Sequence, residues 1–316
     1  QLMELIIKND SLFNKIDGPI TKFLKVFRTI NYQLKPNNEQ RAKDNILAHY
    51  DLGNDFFQLI LDPRMMYSCG IYEPSNIGLD EAAQKKLQRI CTKLDLKPTD
   101  HILEIGTGWG GFAIYAAQSY GCKVTTTTIS DKQYDFVKNK IEQLGLESQI
   151  ELLKCDYRKL SGQYDKIVSI EMIEAVGHKY FDTFFRQCNH LLKPEGLFFL
   201  QAIIINDKAY AKAKNEVDFI KKYIFPGGCL PSVLSISKSI ARQTMMQLIS
   251  FDDIGQHYIT TLNDWHSKLL ANKEAILKQG FTEEFIRMWE FYFCYSAAGF
   301  ASRHISNIHA LWQKRK

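Results

Sequence analysis

His101-Ile102-Leu103-Glu104-Ile105-Gly106-Thr107-Gly108-Trp109-Gly110-Gly111-Phe112 is the stretch whose reading decides the fold. Ile102, Leu103 and Ile105 form the short apolar run expected of a parallel strand covered on both faces. From Phe112 to Ala117 the apolar residues continue at helical spacing, so the glycines between them occupy a strand-to-helix turn. Open α/β sheets hold nucleotides at such turns. Glycine suits the place because a ligand approaches the backbone closely and positive φ is allowed. Gly106, Gly108 and Gly111 also have the G-x-G-x-x-G spacing of a dinucleotide site, a pattern short enough to recur by chance.

Glu104 separates the two readings. It stands two residues before the first glycine, at the carboxyl end of an otherwise apolar strand. A pyrophosphate would be repelled by it, whereas the ammonium and hydroxyl groups of S-adenosylmethionine satisfy a carboxylate that is otherwise costly to bury. The competing assignment is an acid that caps the following helix or pairs with a lysine. An NAD site would also carry an acid at the end of the second strand, where this chain has Thr127 and Thr128. The turn therefore points to S-adenosylmethionine.

The chain has 316 residues, 45% hydrophobic and 24% charged, which suits one large globular domain with an elaboration or two modest domains. No apolar run is long enough to span a bilayer, and no secretory signal opens the sequence. The seven cysteines are scattered, odd in number and without C-x-x-C spacing, as expected of reduced thiols in a cytoplasmic protein and not of a disulfide framework or zinc site. The eight histidines show no metal-binding spacing. A net charge of +5 suits an anionic membrane surface. With no dense Lys/Arg block and no aromatic RNA-binding signature, a nucleic-acid partner is not expected.

Residues 1–45 are read as a separate helical segment. Leu12, Phe13, Ile16, Ile20, Phe23, Leu24 and Phe27 recur at helical spacing among Lys15, Lys22, Lys25 and Arg28, broken by Gly18-Pro19. Such a basic amphipathic stretch lies in a membrane interface or packs on its own domain or a dimer partner. Residues 46–316 form the main domain. A helix over Leu79–Leu94 leads into the glycine strand. Strands Ile102–Ile105, Lys123–Ile129, Ile150–Lys154, Lys166–Ile170 and Gly196–Ile205 then alternate with helices Phe112–Ser119, Lys132–Leu144 and Tyr180–Leu191, the order of a doubly wound sheet. A polar, turn-rich insertion over about 206–248 reads as a cap at the site mouth. A helix Leu262–Gln279, an aromatic segment Phe285–Phe300 and a basic tail complete the chain.

Further blocks make the pattern specific. His49-Tyr50-Asp51-Leu52-Gly53-Asn54-Asp55-Phe56-Phe57, Met66-Tyr67-Ser68-Cys69-Gly70, Glu104 to Gly110, Asp156-Tyr157-Arg158, Glu171-Met172-Ile173-Glu174-Ala175-Val176-Gly177 and Tyr223 to Ser232 resemble the cyclopropane-fatty-acyl-phospholipid synthase family in order and spacing. The resemblance covers roughly residues 40–316. It implies a Rossmann-like class I methyltransferase: a doubly wound mixed sheet with helices on both faces, N-terminal helices and an inserted helical cap. It also implies transfer of the methyl carbon of S-adenosylmethionine to the cis double bond of acyl chains in unsaturated phospholipids at the inner face of the membrane, by a peripheral protein; a homodimer, with residues 1–45 as its contact, is left open. The alkene attacks the sulfonium methyl, and a base then removes a proton so that a cyclopropane ring closes.

By the same resemblance the base is a bound bicarbonate held by Cys69, Glu174, Gln201 with Ile203, and Tyr258. A small anion at an apolar site needs a few donors and acts as a general base without a charged side chain beside the cation. Tyr67 and Ser68 are expected at the methionine end of the cofactor, and Gly106, Gly108, Trp109 and Gly110 at its carboxylate and ribose. Thr128, Ile129, Ser130 and Gln133 are expected at the ribose and adenine edge, with Tyr157 and Arg158 closing over the adenine. Tyr295 or Tyr292 is expected to offer a ring face to the carbocation. Glu171 and Glu174, three apart, share a face if that segment is helical, one of them then being structural.

Two positions depart from the best-known branch. Gln201 stands in place of histidine; an amide donates a hydrogen bond but takes no proton. Ser296 stands in place of a cysteine often cited as a nucleophile. The Gln form is typical of a sister group whose members make methyl- or methylene-branched chains, so ring and branch remain open, as does a methyltransferase for another small substrate.

Overall fold

The computed structural model describes residues 52–316, so the amphipathic helices expected before residue 45 and the His49-Tyr50-Asp51 motif lie outside the described residues. Asn54–Ile60 (α1) and Leu79–Lys93 (α2) precede a continuous α/β alternation. Its members are His101–Ile105 (β1), Gly111–Tyr120 (α3), Lys123–Thr128 (β2), Asp131–Leu144 (α4), Ile150–Lys154 (β3), Tyr164–Ile170 (β4), the single turn Ile173–Val176 (α5), Phe181–Leu191 (α6) and Leu192–Ile205 (β5).

Three differences from expectation follow β5. The insertion holds two helices, Asp207–Ala213 (α7) and Val233–Gln243 (α8), with a π-turn at Ile220–Ile224, but its last residues are a strand, Met246–Asp253 (β6). The helix expected over Leu262–Gln279 is two, Gly255–Ala271 (α9) and Lys273–Lys278 (α10), broken at Asn272, whose side-chain amide donates to the carbonyls of Leu59 and Lys268. After Glu283–Ala301 (α11) the supposed basic tail is a strand, Ile305–Lys314 (β7), inserted between β5 and β6.

The seven strands run β3-β2-β1-β4-β5-β7-β6, with β7 antiparallel to both neighbours and the other contiguous strands parallel. Side chains alternate across the sheet. Ile102, Val168, Phe199 and Leu311 face α2, α3 and α4, while Leu103, Ile167, Phe198, Leu200, Ala310 and Trp312 face α6 and α8. A third, largely aromatic cluster from α1, α9 and α11 sits against the carboxyl edge, built on Phe56, Phe57, Trp265, Trp289, Tyr292 and Phe293. None of the described helices is long and apolar enough to cross a membrane.

Candidate active site

The glycine turn forms one half of the site. Gly106, Gly108 and Gly110 have φ of 102°, 53° and 83°, conformations in which a side chain would be strained. A Cβ on Gly108 would meet nothing within 4 Å, so that side of the turn lies open to a ligand. A Cβ on Gly111 would instead collide with Met66 Sδ and the Arg64 carbonyl, which presses the segment carrying Tyr67 and Ser68 against the turn. Trp109 points into the core, its indole donating to Asn54 Oδ1 at 2.8 Å.

Glu104 is 2% exposed. The Thr126 hydroxyl donates to its Oε2 at 2.6 Å, and Thr107 lies 2.6 Å from Thr126. Burial outweighs this single donor and raises the Glu104 carboxyl to about 8. At the end of β2, Thr128 donates to Gln133 Oε1, and Ser130 caps α4 by accepting from the Gln133 backbone; Ile129 links the strand to this cap. Asp156 accepts from the Arg158 backbone and from its guanidinium at 2.7 and 2.8 Å, and the guanidinium lies 5.6 Å from the ring centres of both Tyr157 and Tyr180. An open, glycine-lined turn with a buried acid at its base fits S-adenosylmethionine.

The other half lies where β4, β5 and β7 meet the aromatic cluster. The structure does bring Cys69, Gln201 and Tyr258 together, but around an acid not expected there, while Ile203 is tied to Glu174. Glu171 Oε1 accepts from the Cys69 backbone N–H at 3.1 Å, from Gln201 Nε2 at 2.8 Å and from Asn307 Nδ2. Its Oε2 accepts from the Tyr258 hydroxyl at 2.7 Å. Glu171 follows the last residue of β4 with φ of 48°, sparsely populated for a residue with a Cβ, and its N–H is tied to the Gln201 carbonyl at 2.8 Å. The helical pairing of the two acids therefore does not form, because Glu171 lies outside the α5 turn that carries Glu174.

Glu174 has a different partner. Its Oε1 accepts from the Ile203 N–H at 2.5 Å, while Oε2 is sealed from solvent without a hydrogen bond. Burial, reinforced by the negative charge of Glu171, raises its carboxyl to about 8. The Cys69 thiol turns toward the carbonyls of Gly70 and Ile254, and burial holds it well above the usual thiol range. What Cys69 offers is its backbone N–H and not a thiolate. Gln201 Oε1 lies 3.0 Å from His309 Nε2, and burial lowers His309 to about 3; a neutral ring donating to Gln201 fixes which amide atom faces Glu171. Lys86, fully buried, donates to Ser68 Oγ at 2.6 Å; desolvation lowers its ammonium against the opposing pull of Glu171, Asp62 and Cys69.

Tyr67 joins the two halves, its hydroxyl 3.2 Å from that of Tyr292 and its ring 5.1 Å from Trp265. From the insertion, Phe225 reaches within 6.3 Å of Tyr67 and 6.1 Å of Tyr292, and the Cys229 N–H donates to the Glu174 carbonyl at 2.7 Å. Tyr295 stacks at 5.8 Å on the exposed Phe291, so Tyr292 is the tyrosine of that pair brought to Tyr67. Sequence reasoning passed over Asn307, His309 and Lys86. The first two are two apart on β7, pairing in register with Ile203 and Gln201, a signal visible only once that segment is read as a strand.

The opposing shifts make a prediction. Glu174 is raised, so its contribution to stability is complete below about pH 4.5 and is lost as pH rises toward 8; His309 is lowered, so its contribution is complete above about 6.5 and is lost toward 3. Glu174→Gln should therefore flatten the fall in thermal midpoint between pH 5.5 and 9. A midpoint that declines in parallel in both proteins would contradict the buried neutral acid.

The mycolic acid cyclopropane synthetase family model matches residues 37–310. A tuberculostearic acid methyltransferase of Mycobacterium tuberculosis is 33% identical over 93% of this chain and 71% of its own. A cyclopropane-fatty-acyl-phospholipid synthase of Escherichia coli is 42% identical over 84% of this chain and 65% of its own, so the chain spans just under two thirds of that relative. Among solved structures, the mycolic acid cyclopropane synthase CmaA1 complexed with SAH and CTAB superposes with a TM-score of 0.80 at 29% identity, over 86% of this chain and 98% of that one. With its mixed seven-stranded sheet and glycine turn, the chain belongs to the mycolic acid cyclopropane synthetase family, within the S-adenosylmethionine-dependent methyltransferases.

Proposed function

We propose that the protein transfers the methyl carbon of S-adenosylmethionine to the cis double bond of unsaturated acyl chains in membrane phospholipids. The observation that carries this reading is that the segment holding Tyr67, pressed on the glycine turn through Met66, sets its ring in a largely aromatic cluster beside the polar groups around Glu171. An amine or hydroxyl acceptor would need polar positioning groups along its path. An alkene needs apolar walls and ring faces to support positive charge as it develops. Among the relatives, the cyclopropane-fatty-acyl-phospholipid synthase supports the lipid class, and the tuberculostearic acid methyltransferase supports chemistry on fatty acyl chains.

When bound, S-adenosylmethionine supplies an electrophilic methyl group on sulfur. The chain's own residues do the rest. Glu104 takes the cofactor's ammonium or ribose hydroxyls, losing its proton as it does so. The turn at Gly106, Gly108 and Gly110 lets the cofactor lie against backbone, with Thr128, Ile129, Ser130 and Gln133 along the ribose and adenine edge and Tyr157 and Arg158 beside the base. Tyr67, Tyr292 and Phe225 exclude water and offer ring faces to a carbocation on the acyl chain. A base then removes a proton and the freed pair closes a cyclopropane ring; methyl or methylene branching uses the same cation, and Gln201 in place of histidine supports that alternative.

Incubation with labelled S-adenosylmethionine and vesicles of unsaturated phospholipid is expected to yield acyl chains one carbon and two hydrogens heavier. A product two hydrogens heavier again would identify a saturated methyl branch and require a separate reductant. Acyl chains of unchanged mass would defeat the proposal. Flotation of the protein with anionic and neutral vesicles tests peripheral membrane association, and sedimentation tests the homodimer.

A further inference from the structure

The donor set around Glu171 does not fit a bound bicarbonate. Of the groups expected to hold that anion, the Cys69 N–H, Gln201 Nε2 and Tyr258 hydroxyl all donate to Glu171, and the Ile203 N–H donates to Glu174. A second anion would find these donors engaged and would lie against the partly buried Glu171 carboxylate, where like charges repel. The chain instead supplies a carboxylate of its own. It is delivered by a residue in the left-handed region, a backbone cost that persists where surrounding contacts over-determine it.

We propose that Glu171 is the resident general base, its carboxylate standing where a bicarbonate would otherwise be held. This assignment of the base rests on the lipid alkene reading above. Transfer leaves a carbocation on the acyl chain. Glu171 takes a proton from the transferred methyl group; the electron pair of that C–H bond becomes the new C–C bond of the ring, and the proton ends on the carboxyl oxygen before leaving to water. Removal of a proton from an acyl carbon next to the cation leaves its pair as a chain double bond, and a 1,2-hydride shift that moves the cation to the methyl-bearing carbon lets a proton leave the methyl group with its pair forming a methylene double bond, so both branched products balance. Gln201, Asn307 and Tyr258 hold the carboxylate in place, and His309 fixes the Gln201 amide. Glu174, neutral at pH 7, adds no second charge.

Two measurements test this. The first is binding: carbon-13-labelled bicarbonate is titrated into the wild type and into Glu171→Gly, a residue that adopts the same φ without strain. No binding to the wild type up to millimolar concentration and saturable binding to Glu171→Gly are expected; saturable binding to the wild type that Cys69 and Tyr258 report by chemical shift would overturn the proposal. The second is turnover on vesicles in carbon-dioxide-free buffer, with and without added bicarbonate. Wild-type turnover should be indifferent to bicarbonate, and Glu171→Gln, with S-adenosylmethionine affinity unchanged, should lose about a hundredfold or more, the usual scale of a general base. Glu171→Gly should recover part of the loss when bicarbonate is added. Wild-type activity that requires bicarbonate, or a Glu171→Gln variant within threefold of wild type, would overturn the assignment. If cofactor-loaded wild type makes no lipid product in either buffer, the functional reading fails and the base falls with it. The binding comparison then still decides whether Glu171 excludes the anion.

Discussion

Glu104→Ala is expected to weaken S-adenosylmethionine binding by about two to three orders of magnitude while leaving the fold intact. Hydrogen bonds to a charged group contribute about 1.5–3 kcal/mol each, and losing two near the lower end of that range removes about 3–4 kcal/mol, at roughly 1.4 kcal/mol per decade of affinity. The carboxyl is raised to about 8 in the ligand-free protein. It is therefore mostly protonated at pH 7 and must ionise to accept from the cofactor's donors. Calorimetry at pH 7 in two buffers of different ionisation heat should show release of about one proton on binding, and Glu104→Gln should abolish that release. Affinity should rise from pH 6 to 8. Unchanged affinity in Glu104→Ala would detach the glycine turn from the cofactor.

Trp265→Ala should be the most destabilising single truncation near the site, by about 3–5 kcal/mol, or on the order of 10 °C in thermal midpoint. The ring is completely buried and lies 5.1 Å from Tyr67, 6.0 Å from Tyr258 and 6.1 Å from Phe293, so its removal opens a cavity between both halves of the site. The indole N–H, however, is buried with no hydrogen-bond partner. Trp265→Phe deletes that unsatisfied donor together with part of the volume, and should recover most of the loss. Chemical denaturation of the two variants separates these contributions. A Phe variant as unstable as the Ala variant would show that volume alone governs the position.

The half of the molecule that binds the cofactor was legible because two signals coincide there. Ile102 to Phe112 switches from strand to helix periodicity across glycines, and Glu104 interrupts an apolar run at the strand's carboxyl end, where the donors of a ligand account for a buried acid. The other half was less legible. Met246–Asp253 lies at the sheet edge with most of its residues partly or fully exposed, so it lacks the alternation that marks a strand. Ile305–Lys314 ends in basic residues, which disguised a run buried from Asn307 to Trp312. Missing β7 hid Asn307 and His309. The family pattern drew attention to Glu174, yet the acid that gathers the donors is Glu171, three residues earlier. Its role depends on a positive φ that turns its side chain inward, and no helical or strand periodicity encodes that.

Because β7 lies between β5 and β6 in the sheet, the ribosome delivers an interior strand last among the described ones. Until Ile305–Lys314 emerges, β6 lacks its one described strand partner, and Glu171 lacks Asn307 as well as the Gln201 orientation that His309 imposes. Long-range pairing of this kind is slow and comes late in folding. The cofactor half of the sheet thus precedes Ile305–Lys314 in the chain, and the Glu171 carboxylate has its full set of described partners only once that strand is in place.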